Sequence, residues 1–103
     1  MSLTPQKRAE CLDLLGAGET VYNGQRYTRA MKVETADWVI AAFDELVAES
    51  PDVKPSRAQV RQRARAKYGS IILLAILMGL VSWVTKKILD WLWDNYTAPY
   101  SEA

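Results

Sequence analysis

Arg57, Arg61 and Arg65 stand four residues apart, Arg63 and Lys67 fall between and beyond them, and no acidic residue occurs from Val53 to Leu89. Guanidinium groups in a row bind phosphate or carboxylate oxygens through paired, charge-assisted hydrogen bonds. At 100° per residue, Val60, Ala64 and Tyr68 form an apolar strip. Arg57, Arg61 and Arg65 lie on one side of it, and Arg63 and Lys67 on the other. Such a helix fits an anionic lipid surface, strip down and cations reaching outward to headgroups. Two other uses fit the same residues. The strip can dock on the chain's own acidic segment through Arg to Asp/Glu contacts, or the cations can contact nucleic-acid phosphates, for which no recognition motif is visible.

The residue inventory argues against catalysis. Histidine is absent and Cys11 is the only cysteine, which removes hydrolytic triads and His/Cys metal sites. No glycine-rich phosphate loop is present. Asp37, Asp44, Glu45 and Glu49 look like a solvated acidic face without metal-site spacing. Cys11, beside Leu12, Leu14 and Leu15, reads as a buried thiol. The expectation is a non-enzymatic protein with neither cofactor nor metal.

Following the cations, Tyr68 to Thr85 carries no charge. Tyr68, Ile71, Ile72, Leu73, Leu74, Ile76, Leu77, Leu80, Val81 and Val84 supply the apolar surface expected of a transmembrane helix. Its length, roughly 27 Å, falls slightly short of a hydrocarbon core of about 30 Å. The flanks favour a span. Residues 1–52 carry a net charge of −4, residues 53–89 +8 and residues 90–103 −3. Six of the eight cations precede the run, which predicts a single pass with a cytoplasmic N-terminus, or virion association if the source is a phage. The short segment after the run resembles a tail anchor, and the polar start MSLTPQKRAE predicts no secretory signal. Trp83, Trp91, Trp93 and Tyr96 have the placement of an interfacial aromatic belt. Ala75, Gly79, Ser82, Lys86 and Asp90 share one stripe of the helix. Small residues there permit close helix contact, and Lys86 and Asp90 can pair at i, i+4.

The elements that position these residues are mainly helical. Thr4-Pro5 and Gly16 bracket a helix from about Pro5 to Leu15. Asn23-Gly24 predicts a tight type I′ hairpin between Val21/Tyr22 and Arg26/Tyr27. A second helix starts between Arg29 and Ala36, runs to Glu49, and buries Ala36, Val39, Ile40, Phe43, Leu46 and Val47, with Trp38 as a core anchor. Pro51 and Pro55 frame a stiff linker, and Ser56 with Gln59 reads as a capping box. One helix of about 60 Å is then expected from Arg57 to about Tyr96, bent near Gly69. The resulting organisation is a helix–hairpin–helix module (1–50), a linker (51–55), a basic helix start (56–67), a span (68–85) and an aromatic-rich tail (86–103).

The function expected from this layout is an anchor, scaffold or structural subunit of an oligomeric membrane-associated assembly. Its partners would be an anionic bilayer, further copies of the chain or other subunits, with nucleic acid as a weaker option. In general character such a chain resembles small phage-encoded virion proteins that enter membranes and single-span lysis proteins, which implies a membrane-penetrating or pore-forming role. A third option is a ring or connector subunit whose apolar helix is buried in an oligomer.

Overall fold

The computed structural model describes residues 3–69 and 75–101, with the backbone alone at 75–78 and 96–101. The order is α1 (Pro5–Asp13), β1 (Thr20–Tyr22), β2 (Gln25–Tyr27), α2 (Arg29–Glu49), α3 (Arg57–Tyr68) and α4 (Ala75–Ser101). Local signals set most boundaries. Thr4 Oγ1 accepts from the Lys7 amide at 3.2 Å to start α1, and Thr28 Oγ1 does the same for Met31 in α2. The capping box of α3 is complete. Ser56 Oγ accepts from the Gln59 amide at 3.1 Å, and the Ser56 amide donates to Gln59 Oε1 at 2.8 Å. Asn23 (φ 52°) and Gly24 (φ 77°) form the hairpin turn, which pairs Thr20 with Tyr27, Val21 with Arg26 and Tyr22 with Gln25.

The continuous helix from Arg57 to Tyr96 is not what forms. α3 stops at Tyr68, and α4 packs back along both α2 and α3. Lys54, just before α3, reaches Asp90, while Arg65 near the end of α3 shares a groove with Gly79, so α3 and α4 run antiparallel. Gly69 caps α3; a Cβ there would stand 2.6 Å from the Arg65 carbonyl oxygen, so any side chain at this exit would strain it.

Among the described residues no helix is long and apolar enough to cross a membrane, which corrects the transmembrane, tail-anchored and single-pass expectations. From Ala75, the first described residue of α4, the uncharged stretch to Thr85 is about 16 Å long. Every eighteen-residue window of α4 includes at least three of Lys86, Lys87, Asp90 and Asp94. Leu80, Val81 and Val84, read from sequence as lipid-facing, are instead fully buried within the chain's own core, together with Ile88, Leu89 and Leu92. Ile71, Ile72, Leu73 and Leu74 lie outside the described residues, as do the side chains of Ile76 and Leu77.

That core also contains Cys11, Leu12, Leu15, Tyr27, Ala36, Trp38, Val39, Ala42, Phe43, Val47, Val60 and Ala64. Each fully buried Leu or Ile of α4 contributes about 1.5–3 kcal/mol relative to exposure. The N-terminal segment thus gains from α4 the dry surface that α1, α2 and a two-strand hairpin lack on their own. A Cα radius of gyration of 13.4 Å matches about 13 Å for some 100 residues folded as one body.

Candidate anion-binding groove

The apolar strip of α3 faces inward. Val60 and Ala64 are fully buried, and half-buried Tyr68 stacks on Trp38 of α2 with ring centroids 5.7 Å apart and planes 23° apart. The cations on the α2 side are neutralised there. Arg63 places Nη1 2.5 Å and Nη2 2.8 Å from the two carboxylate oxygens of Glu49, with Nη1 also 3.1 Å from Glu45 Oε1. Lys67 pairs with Glu45. These contacts hold both glutamate carboxyls below the usual carboxylate range and push Arg63 and Lys67 up. Asp37 is likewise occupied, since Arg8 of α1 grips it through Nε (3.0 Å) and Nη2 (2.9 Å). Asp37, Glu45 and Glu49, read from sequence as a solvated acidic face, are therefore ion-pair partners of α1 and α3. Of the five cations assigned to headgroup or phosphate contact, Arg63 and Lys67 serve the fold.

Arg57, Arg61 and Arg65 take the opposite edge. All three are exposed, and among the described residues no carboxylate forms an ion pair with any of them. Spaced one turn apart, they extend about 12 Å along the helix. Arg61 and Arg65 line a groove of about 380 Å³ between α3 and α4, completed by Ala58, Gln62, Gly79 and Ser82. Small residues at 58, 79 and 82 leave the floor low. Gln62 and Ser82 supply neutral hydrogen-bonding groups beside the guanidiniums.

The small-to-polar stripe of α4 thus faces α3 and the hairpin of the same chain. Gly79 lies under the Tyr27 hydroxyl, Ser82 lines the groove, and Asp90 pairs with Lys54 rather than with Lys86. Lys54 holds the Asp90 carboxyl below the usual range, with a smaller contribution from the nearby charge of Arg57. Lys86, between Ser82 and Asp90 on this stripe, is exposed and has no ion-pair partner among the described residues. The backbone of Ala75 opens α4; its side chain is not among those described.

Four aromatics were read from sequence as an interfacial belt. Trp83, Trp91 and Trp93 pack half-buried against the core, and the Tyr96 side chain lies outside the described residues. Two ammonium groups lie near the Trp83 ring, Lys32 Nζ 5.7 Å and Lys87 Nζ 5.6 Å from its centroid.

Lys32 is absent from the residues singled out by sequence. It is 1% exposed, and its ammonium donates to Leu15 O (2.7 Å), Gly16 O (3.2 Å) and Thr20 Oγ1 (3.0 Å). Arg29 Nη1 adds bonds to Leu12 O (2.9 Å) and Gly16 O (2.7 Å), so two cations tie the end of α1 to α2. Burial, and secondarily Arg29, pull the Lys32 pKa down. Its position is a readable signal, because it falls on the apolar face of α2 one turn before Ala36 and two before Val39. Ala58 and Gln62 carry no such signal, because nothing in α3 alone says which edge α4 will leave open.

No metal-binding group occurs among the described residues, and Cys11 is fully buried, its thiol pushed up to about 12 by desolvation, so it is no nucleophile. Comparisons with protein-family models, with curated proteins and with solved structures found no match.

Proposed function

We propose that this chain is a non-enzymatic binding module, a subunit that presents the α3–α4 face to an anionic partner within a larger assembly. The observation that carries this reading is the division of α3's charges. Arg63 and Lys67 are neutralised by α2, whereas Arg57, Arg61 and Arg65 stand out in a row beside a groove. Arg61 and Arg65, exposed like charges a turn apart, repel one another and have no ion-pair partner among the described residues, which supports contact with something outside the chain. An opposing anion converts that repulsion into charge-assisted hydrogen bonds.

Retention on immobilised heparin tests this. R61Q/R65Q should elute at markedly lower salt than the native chain. R26Q/K87Q, with the same change in net charge elsewhere on the surface, should elute close to native. Absence of retention, or equal losses in the two variants, would show that the groove plays no part in binding.

A further inference from the structure

We infer that Asn23 is a self-modifying site: the hairpin tip converts its Asn23-Gly24 peptide to an isoaspartyl linkage, and the lengthened turn releases the hairpin from α4. The chain holds two asparagines, Asn23 and Asn95, and only Asn23 precedes a glycine. Asparagine is the thermolabile residue here because its own backbone can displace the side-chain amide. When the Gly24 amide gives its proton to hydroxide, the nitrogen attacks Asn23 Cγ and closes a five-membered ring. The Cγ–Nδ2 bond breaks, and that nitrogen takes a proton from water and leaves as ammonia. Water then opens the cyclic imide at either carbonyl. Opening at Cγ gives aspartate on an ordinary backbone. Opening at the main-chain carbonyl gives isoaspartate, with the chain running through Cβ and Cγ. Either way an amide and one water become a carboxylate and ammonium, and no other co-reactant is consumed.

The turn admits each of these steps. Asn23 and Gly24 are both exposed, so hydroxide and water reach them. They are the two loop residues outside the ladder, which closes with Tyr22 against Gln25. Among the described residues neither the Gly24 amide nor the Asn23 side chain has a hydrogen-bond partner, so nucleophile and leaving group are untied. A Cβ at Gly24 would meet nothing within 4 Å, and a glycine backbone is free to rotate toward the neighbouring side chain. Asn95 has the opposite setting. It lies inside α4 before Tyr96, its Nδ2 donates to Trp91 O at 2.8 Å, and its Oδ1 accepts from Lys7 Nζ at 3.1 Å.

The two products act differently on the fold. Asp-Gly suits the same type I′ turn as Asn-Gly, so aspartate leaves the hairpin in register. Isoaspartate adds a backbone carbon to a two-residue loop, which that turn cannot absorb. The strands it joins are three residues each, and a two-stranded hairpin is marginal without its packing. Tyr27 ends the second strand, is 1% exposed and stands over Gly79 of α4. Loss of register at the tip therefore withdraws the contact through which the hairpin is seated on the long helix.

Incubation of the full chain at 37 °C, sampled by peptide mass mapping, tests the chemistry. Asn23 should gain about 1 Da, as replacement of an amide by a carboxyl requires. The gain should be at least about tenfold faster than at Asn95 and faster at pH 8.5 than at pH 6. It should be absent from that peptide in N23G, whose Gly-Gly turn keeps the type I′ geometry. An isoaspartate methyltransferase with labelled S-adenosylmethionine marks the isoaspartyl fraction, which chromatography then separates. Its thermal midpoint should lie at least about 4 °C below that of N23D, which carries the same charge on an ordinary backbone. Its amides at 20–27 should exchange with solvent at least about tenfold faster than those of N23D. No gain at Asn23, or equal rates at Asn23 and Asn95, would overturn the self-modification. An isoaspartyl fraction matching N23D in midpoint and exchange would overturn the release of the hairpin.

Discussion

Gly79 of α4 lies directly beneath the phenol of Tyr27: a Cβ at position 79 would stand 3.1 Å from the Tyr27 hydroxyl oxygen. Tyr27 is 1% exposed and closes the second strand of the hairpin, so this approach is where the hairpin meets the long helix. Replacing Gly79 by alanine brings a helix-propensity gain of about 1 kcal/mol, offset by the shift that the buried ring must make. Gly79→Leu has no such balance and should cost at least about 2 kcal/mol by overpacking. Urea midpoints of the two variants check this, and G79A should become clearly stabilising in a Tyr27→Phe background, where the facing oxygen is gone.

Thr35 is a second point of core tension. Its hydroxyl is buried in α2 and has no hydrogen-bond partner among the described residues. A buried, unpaired hydroxyl costs about 1–3 kcal/mol, and valine has nearly the same shape without it. Thr35→Val should therefore stabilise the protein by about 1 kcal/mol, read as a rise in the thermal midpoint. A loss of stability would mean that the hydroxyl is satisfied in solution.

Lys32 should behave in the opposite way. Lys32→Met keeps the apolar stem but leaves the Leu15 carbonyl and the Thr20 hydroxyl without their donor. A loss of about 2–4 kcal/mol is expected, well beyond the few tenths of a kcal/mol typical of a surface lysine such as Lys7. Chemical denaturation of K32M and K7M side by side measures the difference. If both lie within error of the native chain, the buried ammonium is not what ties α1 to α2.

The α2–α3 ion pairs set an acid dependence with a definite sign. The folded chain holds Glu45 and Glu49 below their ordinary value of 4.5 through Lys67 and Arg63. Near and below 4.5 the unfolded chain therefore binds more protons than the folded one, and stability rises with pH there. The contribution is complete above about 4.5 and disappears as pH falls through the folded values. Urea midpoints at pH 7, 4.5 and 3 should show that decline, and E45Q/E49Q should flatten it. An unchanged slope in the double variant would place the acid-sensitive carboxylates elsewhere.

Charge placement on α3 was legible in the residue order, because a helical wheel alone puts Arg57, Arg61 and Arg65 across the Val60–Ala64–Tyr68 strip from Arg63 and Lys67. Which side would be neutralised was not. That depended on Glu45 and Glu49 arriving from α2, 14 to 22 residues away in the chain. The groove likewise needs Gly79 and Ser82 from α4, and no periodicity within α3 announces them.

Local chemistry, then, was settled by residue types at short spacing: the Thr4 cap, the Asn23-Gly24 turn, the Ser56/Gln59 box and the apolar periodicity of α2. Each depends on atoms within four residues, where covalent connection does the positioning. Tertiary structure alone decided what surrounds Leu80, Val81 and Val84. An apolar sequence demands removal from water, and a bilayer and a protein interior meet that demand equally well. Chain reversal after Tyr68 turned that surface onto α2, and so made a core of residues whose pattern also suited a membrane.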